Sequence, residues 1–275
     1  MRDSTKRRLG RLGALARTVL APLAVMAATA GTADAQRFPD GMREGRNSAR
    51  TPVVTDGVVT FTVLPGDCQG RTYGDGRGES DCANLNSKSY LAAGDVRMGT
   101  AMMYAFDVRV AGGLTHAAFH NPRAVPFTGG PDSRLSVAIW QGDLIKNHLV
   151  ALDLDRTRGL TFLGKRCAGP GQLNGWTRFE MVVRWSASSD GLMQVRCNGR
   201  TIHAVSGQPT DQAPHCHSSN HCEPGVVKHP SHVNAGFGIF FDKEVVGGVP
   251  TMPRVPASGL SVQMRDFTVQ KVRLK

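Results

Sequence analysis

Residues 175–202 read GWTRFEMVVRWSASSDGLMQVRCNGRTI. Phe179, Met181, Val183 and Trp185 alternate with Arg178, Glu180, Val182 and Arg184; after Ser188-Ser189-Asp190-Gly191, Met193, Val195 and Cys197 alternate with Gln194 and Arg196. A period of two puts one set of side chains on each face of a strand, whereas a helix would scatter them around its circumference. The stretch therefore predicts an antiparallel hairpin with one apolar face. Asn198-Gly199 adds a second tight turn that leads straight into another strand. An apolar face of this kind has to be covered, and a second sheet is the natural cover.

The same rhythm extends in both directions. Residues 58–64, 104–110, 135–140, 149–154 and 160–163 read as strands, 114–120 as a shorter candidate, and no segment has a convincing helical period. Beyond the hairpin, 235–241 (AGFGIFF) and 262–274 (VQMRDFTVQKVRL) return to strand character, and a final strand of that quality is expected to pair beside an early one. Between them, residues 206–232 form an insertion that holds His215, His217, His221, His229, His232, Cys216 and Cys222. The reading is all-β: a two-sheet antiparallel sandwich.

Upstream of the first strand the chain changes character. Lys6, Arg7, Arg8 and Arg11 precede an apolar run over residues 19–30, broken only by Pro22 and Thr29, and Ala33-Asp34-Ala35 follows. This order predicts a signal peptide cleaved after Ala35 and a secreted or periplasmic protein. Arg7-Arg8 is compatible with twin-arginine export, but such pairs are common in ordinary signal sequences and the general route is the simpler reading. No later segment approaches the roughly 18 apolar residues needed to span a bilayer as a helix. Residues 36–55 are polar and aperiodic and read as a flexible leader, which leaves 56–275 as one domain.

The whole chain has 33 Lys and Arg against 22 Asp and Glu. Without residues 1–35 the balance is 27 to 20, so part of the basicity belongs to the export signal. The remaining positive charge favours an anionic partner, and an acidic polysaccharide suits an exported protein. Nucleic acid is disfavoured, because no recognition module or basic helix is present. A monomer is expected, and no motif calls for a cofactor. The six cysteines, at 68, 82, 167, 197, 216 and 222, read as disulfides in an exported chain. Fifteen pairings are possible; the expected one joins Cys68 to Cys82, Cys167 to Cys197 and Cys216 to Cys222.

Four groups of residues carry a family resemblance. They are Arg77-Gly78-Glu79; Gly94-Asp95 leading into Tyr104-Ala105-Phe106-Asp107; Thr115 to His120 (THAAFH); and the hairpin followed by Gly238-Ile239-Phe240. In this order the chain resembles the concanavalin-type jelly-roll polysaccharide lyases, the heparin-lyase-like and alginate-lyase-like enzymes, over about residues 58–275. The resemblance implies a jelly roll and cleavage of uronate-containing polysaccharide by β-elimination. That reaction removes a proton alpha to a carboxylate, so it needs a group that neutralises the carboxylate, a base, and an acid for the departing oxygen.

The resemblance implies Arg77 on the substrate carboxylate and His120 as neutraliser or base, with Glu79 holding Arg77. Arg123, Asn234 and Arg178 complete the expected substrate contacts. One departure bears on the chemistry. The family has a tyrosine-bearing strand where this chain has residues 234–240, and aligning its end with Gly238-Ile239-Phe240 leaves Asn234 and Gly236 where tyrosine and lysine are expected. The tyrosines here are Tyr73, Tyr90 and Tyr104. Either a histidine, His232 or His229, has taken over the role, or the protein binds without cutting.

Plainer readings stand beside these. His120 is equally read as a structural strand histidine, Arg77 and Glu79 as an ordinary ion pair, and Arg178, Arg184 and Arg196 as a solvated face. The His/Cys insertion has ligands that zinc favours, but its spacing fits no standard finger and exported cysteines oxidise, so no metal ligand is assigned. Two alternatives to the lyase remain: a non-catalytic carbohydrate-binding protein of the same fold, and a periplasmic metal-binding protein using the His/Cys loop.

Overall fold

The structure, a computed structural model, describes residues 37–71, 80–112, 135–143, 148–155, 157–211, 229–246 and 248–274. In chain order the described strands are β1 (Met42–Glu44), β2 (Val53–Thr55), β3 (Val58–Val63), β4 (Ser87–Ala93), β5 (Val96–Arg97), β6 (Ala101–Ala111), β7 (Leu135–Gly142), β8 (His148–Asp155) and β9 (Gly159–Phe162). They continue with β10 (Lys165–Ala168), β11 (Thr177–Arg184), β12 (Leu192–Cys197), β13 (Arg200–Ser206), β14 (His232–Phe241), β15 (Glu244–Val246), β16 (Val249–Thr251) and β17 (Leu260–Lys271). One four-residue helix, Asp81–Asn84, is capped by the Ser80 hydroxyl, which accepts from the Ala83 amide at 3.1 Å.

All strands but β15 and β16, which pair with each other in a separate two-stranded sheet, form a two-sheet antiparallel jelly-roll sandwich. The first sheet runs β1-β4-β14-β7-β8-β9-β10, with β5 alongside β14; the second runs β13-β12-β11-β6-β17-β3-β2. The hairpin of residues 175–202 is β11, β12 and the start of β13, in the register Phe179 to Cys197, Met181 to Val195 and Val183 to Met193. Its apolar set points inward. Phe179, Met181, Val183, Trp185 and Val195 are 0% exposed, and the Phe179 ring lies 5.9 Å from Trp140 and 5.7 Å from Phe162 of the opposite sheet. Each such side chain contributes about 1.5–3 kcal/mol by leaving water. The final strand pairs with an early one as expected: β17 lies between β3 and β6.

The described structure departs from the sequence reading at two places. Residues 36–55, expected as a flexible leader, contribute β1 and β2 to the fold. Asp56 and Gly57, at φ 50° and 74°, make a two-residue turn that folds β2 back on β3. Strand β4 was not expected, because its inward row is Ser87, Ser89, Leu91 and Ala93, too polar to announce a buried strand.

Two of the three expected disulfides are present: Cys68 with Cys82, closing a local loop, and Cys167 with Cys197, joining β10 of the first sheet to β12 of the second. Cys216 and Cys222 lie outside the described residues. Among the described residues no helix is long and apolar enough to cross a membrane.

Candidate functional site

The outer face of the first sheet gathers the polar residues of β14 and its neighbours. Along β14, Val233, Ala235 and Phe237 go to the core at 0–2% exposure, so His232 and Asn234 take the opposite side. Asn234 stands opposite Gln141 of β7, and Gly236 lies between Ala92 of β4 and Ile139 of β7. A Cβ at Gly236 would lie 2.6 Å from the Phe240 ring, so glycine lets this ring close down on the strand. Ile139, Ala151 and Phe240, with Tyr90 against them, make a small apolar floor on this face.

Beyond the floor the face becomes polar again. Phe240 is paired with Lys88 on one side and Ser136 on the other. The Ser136 hydroxyl donates to Asp153 at 2.7 Å. Asp153 faces Thr161, which faces Arg166 of β10. Lys88 is held by the buried Asp81 carboxylate at 2.7 Å. Ile139, Ala151 and Phe240 are only 1–6% exposed and Ser136 and Thr161 1–2%, so the middle of this face is covered, with the amides of Asn234 and Gln141 at one end and Lys88, Asp153 and Arg166 across the other.

His232 opens β14 opposite Arg97 of β5. Its Nδ1 lies 2.8 Å from the Ser231 hydroxyl and 3.8 Å from Asp143 Oδ2. Ser231 in turn binds Asp143 with its hydroxyl and, at 2.9 Å, with its amide, and the Asp143 amide donates to the His232 carbonyl at 3.1 Å. Burial pushes the Asp143 carboxyl up, but the bonds from the Ser231 hydroxyl and the Ser231 and His232 amides outweigh it and hold it below the ordinary carboxylate value. This knot fixes the start of β14 against the end of β7.

Of the expected site residues, the described structure brings His232 and Asn234 together on this face. Arg178 does not join them. It lies on the outer face of the second sheet, 3.4 Å from Asp107, 3.8 Å from Glu180 and bonded at 3.0 Å to the Asp266 carbonyl. That face also carries Arg109 and Arg265, whose guanidinium groups lie over the Trp176 ring at 4.5 and 4.3 Å, and Arg265 is paired with Asp107 and Asp266. Arg77, Glu79, His120 and Arg123, with His215, His217 and His221 of the insertion, lie outside the described residues.

The sequence did not reveal that a tyrosine lies on this face. Tyr90 of β4 stands directly opposite Gly238 of β14, with its ring 4.8 Å from Phe240. It is closed over from outside. A Cβ on Gly45 would lie 2.2 Å from the Tyr90 ring, so only glycine lets the chain pass there. Burial raises the phenol above its ordinary value, and the Asn47 backbone occupies the hydroxyl. Tyr104 is in the core, where burial pushes it up to about 12. Neither is placed to exchange protons with a bound chain.

No family model and no curated protein matches this sequence. Among solved structures, the chain is similar to an endo-β-1,4-glucuronan lyase from the fungus Trichoderma reesei, with 13% identity, a TM-score of 0.45, and coverage of 87% of this chain and 91% of that one. It is also similar to an alginate lyase from Pseudomonas aeruginosa, with 14% identity, a TM-score of 0.41 and coverage of 81% and 86%. A botulinum neurotoxin serotype D/C binding domain is similar at 8% identity and a TM-score of 0.39, over 84% of this chain and 44% of that one.

Proposed function

We propose that the protein binds acidic, uronate-containing polysaccharide on the outer face of its first sheet and cleaves it by β-elimination after export. The observation that carries this reading is the pairing of Asn234 with Gln141 beside His232, because amide donors next to an imidazole are what the reaction asks of a protein. A uronate carboxylate hydrogen-bonded by amides loses part of its charge, and the carbon-bound proton next to it becomes acidic enough for a neutral imidazole to remove. In the proposal Arg77 and His120 add charge and a further imidazole to the same face, Glu79 orients Arg77, and Arg123 contacts the chain. His232 stands at the rim. The two disulfides fit an oxidising compartment, where polysaccharides are the abundant polyanions.

The test is to incubate the purified protein with polyglucuronate, alginate, heparin-type and pectic polymers and follow the ultraviolet absorbance of the conjugated double bond formed at the new non-reducing end. Absorbance growth on at least one uronate polymer, lost in Asn234→Ala with an intact fold, is expected. Silence on every polymer with retained binding would replace the lyase by a carbohydrate-binding protein.

A further inference from the structure

Five residues before Asn234, His229 makes a contact of a different kind from that of His232. Its Nδ1 lies 2.6 Å from Asp211 Oδ2; the Asp211 side chain is 0% exposed, while that of His229 is 44% exposed. The carboxylate is rigidly mounted. The Asp211 and Thr210 amides both donate to the Ser186 carbonyl, at 3.2 and 2.9 Å, the Thr210 hydroxyl accepts from the Ser186 amide at 2.8 Å, and it donates to the Arg184 carbonyl at 2.8 Å. Asp211 is thereby fixed to the end of β11, on the second sheet. The other oxygen, Oδ1, is buried without a hydrogen-bond partner among the described residues.

A buried carboxylate is costly unless its charge is partnered, and here the described side-chain partner is the His229 imidazole. Here the visible effect is on the imidazole. An ionised Asp211 accepts the Nδ1 proton, which fixes the tautomer whose Nε2 carries a lone pair, on a side chain that is itself partly exposed. His232 lacks such support. Its Nδ1 partner is a serine hydroxyl, and its nearest described carboxylate is 3.8 Å away and already engaged by Ser231. Among the described residues, the charged and titratable groups near this end of the sandwich include Asp143 and His232 next to Ser231, Arg97 across from His232, and Asp190, which accepts from the Ser186 hydroxyl and whose carbonyl accepts from Arg184. Three extended residues reach at most about 10–11 Å, so His229 stays close to the start of β14.

Building on the lyase reading above, we propose that Asp211 and His229 form its proton-transfer dyad, with His229 as the catalytic base and Asp211 as its positioning residue. Nε2 of His229 takes the proton from the carbon alpha to the uronate carboxylate. The C–H electron pair becomes the new double bond, and the glycosidic oxygen leaves with the pair that bound it. The imidazolium then returns its proton to that oxygen, so no external acid or oxidant is needed. The dyad draws one residue from each sheet's side and would supply the function for which neither Tyr90 nor Tyr104 is placed.

The test combines kinetics with nitrogen NMR of the histidines, using a uronate polymer on which the wild-type protein acts. His229→Gln is expected to lower kcat about 100-fold or more while KM stays within a few-fold. Asp211→Asn, which keeps size and shape, is expected to lower kcat with KM little changed and to remove the Nδ1-protonated signature of His229. Full kcat in either variant would overturn the dyad while leaving the lyase reading intact, as would a wild-type His229 protonated at Nε2. A simple clamp would lower melting temperature in both variants without touching kcat, and this outcome too would overturn the proposal. Silence of the wild type on all polymers would instead overturn the lyase reading; the tautomer would still decide the geometry on which the dyad depends.

Discussion

Cys167 and Cys197 join the edge strand of the first sheet to the second strand from the edge of the second sheet, across the layer that holds Phe162 and Phe179. The two cysteines are 30 residues apart, so the bond closes a loop long enough to restrict the unfolded chain appreciably. Replacing both with serine is expected to cost about 2–4 kcal/mol. Urea unfolding of native and variant protein under non-reducing conditions measures this directly, and an unchanged midpoint would show that the sandwich does not depend on the tie.

Tyr90 gives a sharp test of where the chemistry resides. Its ring lies under Gly45 and against Phe240, and its hydroxyl is engaged by the backbone of Asn47. Tyr90→Phe is expected to lose about 0.5–1.5 kcal/mol of stability for one hydrogen bond and to keep its elimination rate within a few-fold. A fall of about 100-fold would make this tyrosine a proton carrier and move the active centre to β4.

Arg178 separates the two faces. Its partners Asp107 and Glu180 belong, like it, to the outer face of the second sheet, away from Asn234. Arg178→Ala is expected to leave KM for a uronate polymer unchanged and to cost at most about 1 kcal/mol, since these pairs are partly solvated. A several-fold rise in KM would show that substrate reaches this face as well.

Acid titration of stability distinguishes Asp211 from Asp143. Burial raises Asp211 above its ordinary value of 3.8, and the His229 contact only partly offsets this. The folded state therefore favours the protonated carboxyl: that contribution is complete below the unfolded value and is lost as pH rises through the folded one. Asp211→Asn is thus expected to melt no lower than the native protein at neutral pH, with any advantage vanishing in acid. Asp143, whose folded value is lowered, contributes in the opposite sense. Its stabilisation is present above the unfolded value and is lost as pH falls through the folded one, so Asp143→Asn is expected to melt lower at neutral pH and to converge with native protein in acid. Melting curves across the acid range check both signs, and a strongly destabilised Asp211→Asn at neutral pH would show the dyad to be a structural latch.

What could be read from the sequence follows from where the physical signal resides. The hairpin declared itself because from Phe179 onward its buried side is apolar and its turns use Asp-Gly and Asn-Gly, so local chemistry and global packing agree. Strand β4 was hidden, because Ser87 and Ser89 are 0% exposed in its inward row, and the Ser89 hydroxyl is satisfied by the Arg50 carbonyl, 39 residues away in sequence. Strands β1 and β2 are three residues each, too short to show a period. At the candidate site, His232 and Asn234 were legible because they belong to one strand. The meeting of Tyr90 with Gly238 and of Asp211 with His229 was not, because each pair is made by topology and neither partner has a local motif.

The position of β17 between β3 and β6 also governs the order in which the protein can assemble. Strand β6 pairs with β17 across about 150 residues and β3 across about 200. Until the C-terminal residues are available, β3 and β6 each expose an unpaired edge, and contacts of this range form slowly because a long loop must first close. A chain ending before Leu260 would keep both edges open and be prone to edge-to-edge association. Availability of β17 is therefore the step that commits the chain to the native sandwich.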